Sequence, residues 1–284
     1  MEMRALGRTG MKVSVLGLGT VKLGRNRGVR YPGGEGFALP TDAEANELLR
    51  AAAELGVNLI DTASAYGVSE ERIGALMAAS GWFGGRGRWV VCTKVGEEFD
   101  AETGESRFDF SAGHVRASVE RSLRRLRVDV LDVVLLHCSG NDEWEVMGSG
   151  ALDVLHELKR KGLVRAVGAS TKSVDAGLLA VRESAGSCDV VMVAYGPGER
   201  SQGMVVDAAR LRGAGVLVKK GLASGHVREL MAKMPGEIKN STEDPVEAAM
   251  RFTLGKAGVS SLVVGTASVG HLRENVAAAG RVAK

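Results

Sequence analysis

The sequence predicts an α/β protein, a (β/α)8 barrel with an N-terminal β-hairpin in a single domain. Two observations indicate this fold. Short apolar runs rich in β-branched residues recur, and each is followed by a longer stretch with helical spacing, as repeated βα units around a parallel sheet require. The chain has 284 residues, of which 45% are hydrophobic, so it can bury one large core. We therefore expect residues 1–284 to form one barrel domain.

The predicted strands and helices alternate along the whole chain. The strands are 13–19, 57–62, 88–94, 131–137, 164–170, 188–195, 215–220 and 260–266. The helices are 42–55, 69–79, 111–127, 150–161, 173–183, 202–211, 245–254 and 268–279. Asp42 and Ser69 are typical residues for helix starts. The segments 24–40 and 223–244 lie outside this pattern and are predicted to be loops over the barrel mouth.

Composition and charge argue against several classes of protein. The formal net charge is only +3 and the arginines are spread, so nucleic acid is not an expected partner. The densest basic run, 121–127, has leucines at helical spacing and is typical of a solvated helix face. No apolar stretch approaches the roughly 20 residues needed to cross a bilayer, and the amino terminus lacks the apolar core of a signal peptide. We expect a cytoplasmic protein without a membrane partner.

The cysteines predict a reducing compartment. Cys92, Cys138 and Cys188 are too few and too scattered for a disulfide framework or a Cys-x-x-Cys metal site. They are expected to be buried thiols. The five histidines show no His-x-His or His-Glu-x-x-His spacing, so no metal site and no metal-dependent hydrolase are predicted.

Catalytic groups in a (β/α)8 barrel come from the carboxyl ends of the strands and from the loops that follow them. That rule selects the polar residues at the ends of the predicted strands. They are Thr20, Asp61, Lys94, His137, Ser170, Tyr195, Lys220 and Thr266. A barrel with a purely structural role has no need for such a set.

Three of these positions, together with Tyr66, suggest proton-transfer chemistry. Asp61 and Lys94 end neighbouring predicted strands and are expected to pair in the barrel mouth. Tyr66 lies in the loop after Asp61, where the ammonium of Lys94 would lower its pKa and help it donate a proton. His137 could orient a carbonyl oxygen or relay a proton. Individually the four could be a cap, a surface lysine, a packed loop tyrosine and a core histidine, but together they favour an active site.

Five motifs, taken in order, resemble those of the aldo-keto reductases. They are GVNLIDTASAYGVSEERIG (56–74), VCTKVG (91–96), LDVVLLHCS (131–139), GLVRAVGAS (162–170) and VVGTASVGHLRENVAAA (263–279). The resemblance implies an NAD(P)(H)-dependent oxidoreductase that transfers a hydride between nicotinamide and a carbonyl or alcohol. It also implies that Tyr66 donates the proton, that Lys94 and Asp61 tune it, and that His137 helps to position the substrate. A nucleotide-binding redox sensor or regulatory subunit of the same fold is the alternative.

The resemblance further implies a cofactor lying across the barrel mouth. The implied cofactor residues are Gly19, Thr20, Lys22, Asp61, Ser170, Met192, Tyr195, Lys219, Lys220, Leu222, Gly225, Gly265, Thr266, His271, Glu274 and Asn275. A Rossmann glycine turn is not favoured, because Lys22 takes the place of the third glycine after Gly17 and Gly19.

Some positions depart from the family pattern. Met192 replaces a frequent glutamine, and Lys219 and Lys220 begin a segment that is often aromatic-Ser-Pro-Leu. No aromatic side chain is therefore expected to stack on the nicotinamide from that position. A lysine there could hold pyrophosphate or could be solvated. His271 stands where an arginine is common in the family and Gly265 where a lysine can occur, and such cations would bind the 2′-phosphate of NADP. NADP is favoured on family habit, and NAD stays open.

The substrate is predicted to be a small carbonyl or alcohol compound. Val21, Tyr66, His137 and Trp144 are the candidate contacts, and only 4% of residues are aromatic, so a strongly aromatic pocket is not expected. The segment ESRFDFS (105–111) resembles one found in sugar and pyridoxal dehydrogenases of the family, which raises polyhydroxy aldehydes or lactols as substrates. The resemblance also implies a monomer.

Overall fold

The protein is a closed barrel of eight parallel strands surrounded by helices, as the sequence predicts. The computed structural model describes residues 1–29, 31, 34, 36–79, 89–182, 188–233 and 243–282. Around the barrel the strands are β3 (Leu16–Gly19), β4 (Leu59–Asp61), β5 (Val90–Val95), β8 (Leu131–His137), β9 (Val164–Ser170), β10 (Val190–Ala194), β11 (Gly215–Lys219) and β12 (Ser261–Gly265). Each predicted strand contributes one of these.

The helices form the outer layer. They are α1 (Asp42–Glu54), α2 (Ser69–Ala79), α3 (Ala112–Leu126), α4 (Asp142–Met147), α5 (Ala151–Arg160), α6 (Val174–Ala180), α7 (Gly203–Arg212), α8 (Val227–Lys233), α9 (Pro245–Leu254) and α10 (Val269–Val282). All eight predicted helices are present. In the described part of the chain, no helix is long and apolar enough to span a membrane.

An N-terminal hairpin closes the bottom of the barrel. Strands β1 (Met3–Ala5) and β2 (Lys12–Ser14) pair antiparallel. Leu6, Met11 and Val13 are buried in one cluster with apolar side chains of the barrel interior. Gly7 has a φ of +55°, and a Cβ there would lie 2.3 Å from the backbone nitrogen of Gly215, so only glycine lets the hairpin approach β11 this closely.

Barrel strands alternate between an inner and an outer face, and this alternation decides which side chains reach the mouth. Leu59, Cys92, Leu135, Met192 and Leu217 belong to the interior cluster. The residues between them, such as those at 60, 91, 134, 191 and 216, pack in the larger cluster between the barrel and the helices. Residues two positions after the interior ones must therefore form the next interior layer, which is the top of the barrel.

Two local boundaries differ from the predictions. The predicted strand 13–19 is split, because residues 12–14 pair with β1 in the hairpin and only 16–19 enter the barrel. Helix α1 is capped by Thr41 rather than by Asp42. The Thr41 hydroxyl accepts a hydrogen bond from the Glu44 backbone nitrogen, and the Glu44 carboxylate accepts one from the Thr41 nitrogen.

The predicted loop segments contain more structure than expected. Segment 24–40 follows a short 3-10 turn at Val21–Leu23, whereas segment 223–244 begins with a 3-10 turn at Ala223–Gly225 and continues into α8, so it is not a simple loop. A second hairpin, β6 (Glu97–Phe99) with β7 (Ser106–Phe108), was also not predicted, nor was α4. Residues 30, 32, 33, 35, 88, 183 and 234–242 of predicted elements lie outside the described residues.

Candidate active site

The top interior layer of the barrel contains one residue from each strand. In order around the barrel these are Gly19, Asp61, Lys94, His137, Ser170, Ala194, Lys219 and Gly265. The three residues from β4, β5 and β8 are ionisable, and they stand side by side. On β10, β12 and β3 the residues are small, and among them stands Lys219 of β11. The layer thus has a charged half and an open half.

Lys94 organises the charged half. Its side chain is only 1% exposed, and its Nζ lies 2.7 Å from Asp61 Oδ1, 2.8 Å from the carbonyl oxygen of Thr62 and 3.1 Å from the Tyr66 hydroxyl. Each member of the ion pair therefore has the partner that a buried charge requires. The loop after β4 bends back so that the Tyr66 hydroxyl points into the mouth at the Lys94 ammonium.

Burial and pairing act in opposite directions on the pKa values of Lys94 and Tyr66. Burial alone would lower the pKa of Lys94, but the Asp61 carboxylate raises it above its ordinary value, so Lys94 stays an ammonium. Burial raises the pKa of Tyr66, and the Lys94 ammonium opposes that rise without cancelling it. The predicted lowering by Lys94 is therefore present, but burial outweighs it. Tyr66 carries its proton at neutral pH.

His137 contacts a second group of charged side chains. Its Nδ1 lies 2.8 Å from Glu97 Oε2, and its ring meets the Tyr66 ring edge to face, with the ring centroids 6.0 Å apart. Glu97 Oε1 accepts hydrogen bonds from Arg25 at 3.0 Å and from Ser106 at 2.6 Å. Burial lowers the pKa of His137 even though Glu97 opposes this, so the imidazole is neutral at physiological pH.

The open half contains one charged side chain. Lys219 Nζ donates a hydrogen bond to Ser170 Oγ at 2.9 Å, reaching over the neighbouring strand β10. Burial lowers the pKa of Lys219 to about 8. Among the described residues, a Cβ at Gly265 would meet only the Tyr31 hydroxyl at 3.5 Å and the Gly19 carbonyl oxygen at 3.8 Å. This half of the mouth therefore has room for a flat group.

The loop after β11 has an unusual backbone. Lys220, Ala223 and Ser224 all have positive φ values, 59°, 50° and 55°, without being glycine. Such residues cluster at ligand sites, and successive turns of this kind can point backbone N–H groups at an anion. The amino terminus of α10, a second favourable place for an anion, follows the end of β12. The residues around the open half therefore fit a flat ring joined to a phosphorylated group.

Comparison with known proteins identifies the family. A sequence profile of the Aldo/keto reductase family matches residues 15–282. The chain belongs to this family. Aldo-keto reductases are oxidoreductases that generally use NAD(P)H and act on small carbonyl compounds.

Three relatives illustrate the similarity. The chain is 30% identical to L-galactose dehydrogenase of Arabidopsis thaliana, over 98% of this chain and 88% of that protein. It is 26% identical to D-threo-aldose 1-dehydrogenase of a Pseudomonas species, over 95% of this chain and 91% of the relative. The crystal structure of PA4992 from Pseudomonas aeruginosa, which is assigned to the aldo-keto reductases, has a TM-score of 0.83 at 44% identity, covering 99% of this chain and 96% of that one.

Several residues predicted to bind cofactor do not point into the mouth of this aldo-keto reductase. Thr20 is fully buried, and its hydroxyl donates to the Asp61 carbonyl oxygen. The Met192 side chain packs in the interior cluster, one layer below the mouth. Tyr195 faces the helices, where its ring stacks on Phe252 with the centroids 5.3 Å apart.

Other predicted residues lie around the rim. Lys220 is exposed, Leu222 packs against the cluster around α8, and Gly225 ends the 3-10 turn. Lys22 Nζ lies 4.5 Å from the centroid of the Tyr31 ring. The Thr266 hydroxyl accepts from the Ser268 nitrogen, and His271, Glu274 and Asn275 follow in the first two turns of α10. Val21 begins the 3-10 turn after β3, and Trp144 of α4 is 54% exposed.

Sequence reasoning missed three residues near the mouth. Glu97 contacts His137, and Arg25 in turn holds Glu97. Arg25 is only 8% exposed although it lies in a glycine-rich and arginine-rich segment. Tyr31 from the same segment is partly buried. Burial raises the pKa of Tyr31, and the charge of Asp61 adds to that rise while the charge of Lys94 opposes it. The family resemblance of the 105–111 segment does not by itself predict the hydrogen bond from Ser106 to Glu97.

One group of described residues has atoms close enough to hold a metal ion: Cys138, Asp142 and Glu145, all buried. The carboxylates already serve as anchors for loops. Asp142 accepts hydrogen bonds from the backbone nitrogens of Lys172 and Ser173, and Glu145 accepts from the nitrogen and hydroxyl of Ser139. These bonds explain why the carboxylates are buried here. The three cysteines are free buried thiols, as predicted.

Proposed function

We propose that this chain transfers a hydride between NAD(P)(H) and a small carbonyl or alcohol substrate, with Tyr66 as the general acid. The observation that carries the proposal is the Tyr66 hydroxyl, 3.1 Å from the Lys94 ammonium that Asp61 holds at 2.7 Å. A proton donor at this position would stand beside a fixed positive charge at the edge of the mouth. A positive charge there stabilises the negative charge that develops on a carbonyl oxygen during reduction.

Tyr66, Lys94 and His137 each have a defined task in carbonyl reduction. Tyr66 donates a hydrogen bond to the carbonyl oxygen and then its proton. Because its pKa is raised, Tyr66 is fully protonated when the substrate arrives. The Lys94 ammonium stabilises the tyrosinate that remains, and His137, whose Nδ1 is held by the Glu97 carboxylate, lies beside the Tyr66 ring and positions the substrate. In oxidation the same groups act in reverse.

The open half would hold the nicotinamide cofactor, which supplies the hydride when bound. Gly19, Ala194 and Gly265 leave the space for its ring, and the Ser170 hydroxyl is placed to bind a polar substituent of that ring. The strained loop at 220–225 and the start of α10 would hold the phosphates. NADP and NAD are both tested below, because the chain has His271 at a position where the family often has an arginine that could contact a 2′-phosphate.

We propose polyhydroxy aldehydes or lactols as the substrates. Two relatives that cover most of this chain are named for aldose oxidation, an L-galactose and a D-threo-aldose dehydrogenase. The β6–β7 hairpin also brings Ser106 from the 105–111 segment to Glu97, which contacts His137. Charged and hydroxyl groups near the carbonyl position suit a substrate with several hydroxyl groups.

The test is the turnover of NADPH and of NADH with a panel of small aldehydes, ketones and aldoses, together with the reverse reaction. Tyr66→Phe should lower turnover by about a thousandfold and leave the dissociation constant of the cofactor unchanged. Tyr195→Phe is the matched control, because Tyr195 stacks on Phe252 away from the mouth. Tight cofactor binding without turnover would instead support the redox sensor, and equal turnover in Tyr66→Phe would refute the role of Tyr66.

A further inference from the structure

Lys219 is the charged residue of an otherwise uncharged half of the mouth. Its neighbours in the top interior layer are Ala194 on β10 and Gly265 on β12. The described residues provide no carboxylate that pairs with it, in contrast to Lys94, which pairs with Asp61 at 2.7 Å. Its hydrogen bond to Ser170 Oγ turns the ammonium inward over the barrel rather than out to solvent.

The proposed hydride transfer requires the nicotinamide ring to lie beside Lys219. The proposed Tyr66 proton donor fixes the carbonyl oxygen in the charged half, and the hydride donor must lie within about 3.5 Å of the carbonyl carbon. The charged half is filled by the side chains of Asp61, Lys94 and His137. A nicotinamide ring can therefore enter only the open half, where the Lys219 ammonium is located.

The two redox forms of the cofactor differ in charge at this ring. The oxidised nicotinamide is a cation, and the reduced dihydronicotinamide is neutral. A neighbouring ammonium repels the first and not the second, and this repulsion is strong in a site with a low effective dielectric constant. The pyrophosphate is common to both forms and is attracted equally in each.

We propose that Lys219 makes the site discriminate against the oxidised cofactor, so that it biases the enzyme towards carbonyl reduction. This inference rests on the proposed function and extends it. The residue acts on the direction of the reaction through the charge it places beside the nicotinamide ring. Two relatives are named as dehydrogenases, a name that denotes the opposite direction.

The bias should depend on pH. Burial lowers the pKa of Lys219 to about 8, and the charges of Lys220, Lys94 and Lys172 add to that effect while Cys138 opposes it. Below this pKa the ammonium repels the oxidised ring, and above it the neutral amine does not. Lys94 stays charged and His137 stays neutral around this pH because their pKa values are raised and lowered respectively, so neither titrates in the same range.

The test compares dissociation constants for the oxidised and reduced forms of the same dinucleotide. Calorimetry or protein fluorescence would give both constants at about pH 6.5 and about pH 9.5, on either side of the Lys219 pKa of about 8. In the wild type, the ratio of oxidised to reduced dissociation constants should fall about tenfold or more between the lower and the higher pH. In Lys219→Met this ratio of dissociation constants should be low at both pH values.

Two matched variants separate charge at this site from other effects. Lys219→Arg keeps the charge at all pH values and should keep the high ratio at the higher pH. Lys12→Met removes an exposed charge from the hairpin at the bottom of the barrel and should behave as the wild type. The ratio cancels any general loss of pyrophosphate affinity, because both redox forms carry the same phosphates.

The outcomes distinguish the two proposals. If both forms bind and the ratio is the same in the wild type and Lys219→Met, the inference about Lys219 is wrong and the proposed function stands. If the folded wild type binds no nicotinamide dinucleotide, both proposals are wrong. Circular dichroism of each variant confirms that the barrel is intact.

Discussion

The two halves of the barrel mouth are built in opposite ways. On β4, β5 and β8 the top layer consists of Asp61, Lys94 and His137, and each is fixed by a charged or hydrogen-bonding partner. On β10, β12 and β3 the corresponding residues are Ala194, Gly265 and Gly19, which leave space. The first half is preorganised by contacts within the protein, whereas the second leaves the space in which we propose that the cofactor binds.

This difference teaches which substitutions should affect folding and which should affect binding. Breaking a contact in the charged half leaves a buried group without a partner, so stability and turnover should fall together. Filling the open half removes space that none of the described side chains occupies, so binding should fall while stability is kept. The predictions below follow this division, from the largest expected effect to the smallest.

The largest effect is expected from Lys94→Met. The substitution leaves the Asp61 carboxylate buried without its cation, so the free energy of unfolding should fall by about 3–5 kcal/mol. Turnover should fall about a thousandfold, because Tyr66 loses its charged neighbour. Chemical denaturation and steady-state kinetics measure the two effects.

The double variant Asp61→Leu/Lys94→Met tests the physical reason. Replacing both partners of a buried ion pair by apolar residues is often neutral for stability, so the double variant should recover most of the lost stability. It should not recover turnover. If the double variant is as unstable as Lys94→Met, the unpaired Asp61 charge is not the cause of the loss.

Gly265→Val should separate binding from stability. A Cβ at Gly265 has no neighbour closer than 3.5 Å, and valine is favoured in strands, so the free energy of unfolding should be nearly unchanged. The branched side chain fills the open half, so the cofactor dissociation constant should rise about a hundredfold, and fluorescence titration measures it. A variant that binds cofactor with unchanged affinity would show that the nicotinamide lies elsewhere.

Glu97→Gln should have an intermediate effect. Removing the Glu97 charge loosens the orientation of His137, so turnover should fall about tenfold. Burial would raise the pKa of Glu97, but its contacts with His137, Ser106 and Arg25 lower it overall. The stability this carboxylate contributes is therefore complete above the unfolded pKa of about 4.3 and is lost as the pH falls below it.

The acid limb of the stability curve checks this assignment. Between neutral pH and about pH 3 the free energy of unfolding should fall less steeply in Glu97→Gln than in the wild type. The control is Glu102→Gln, an exposed carboxylate on the same hairpin, which should leave the limb unchanged. Parallel curves for Glu97→Gln and the wild type would contradict the depressed pKa of Glu97.

The apolar pattern and the strand-end rule predicted the eight strands and the charged half, whereas Gly19, Lys219 and Gly265 of the open half were implied only by the family resemblance, and Ala194 was not predicted. All eight strands appear, because short apolar runs and helical periodicity are local signals. The direction in which a strand residue points, into or out of the barrel, cannot be predicted from such a local signal. Strands of a buried parallel sheet are apolar on both faces, so alternation is hidden. Thr20, Tyr195, Lys220 and Thr266 were selected as strand ends, yet they face away from the interior.

The support of His137 could not be read from the sequence for a different reason. Glu97, Arg25 and Ser106 come from connections between barrel elements, and Arg25 is 72 positions from Glu97. No spacing rule links residues that meet only after the chain has folded. The pairing of Asp61 with Lys94 was predictable because both end neighbouring strands of the barrel.

The smallest effect is expected at the rim of the open half. Lys22 Nζ lies 4.5 Å from the centroid of the Tyr31 ring, and the Tyr31 hydroxyl is the nearest atom to the space beside Gly265. Tyr31→Ala removes this cation–π contact and uncovers the open half, so the cofactor dissociation rate should rise about two- to fivefold, with turnover at saturation unchanged. Tyr31→Phe keeps the ring and should match the wild type in stopped-flow measurements. If the two variants release cofactor equally fast, the hydroxyl rather than the ring retains it.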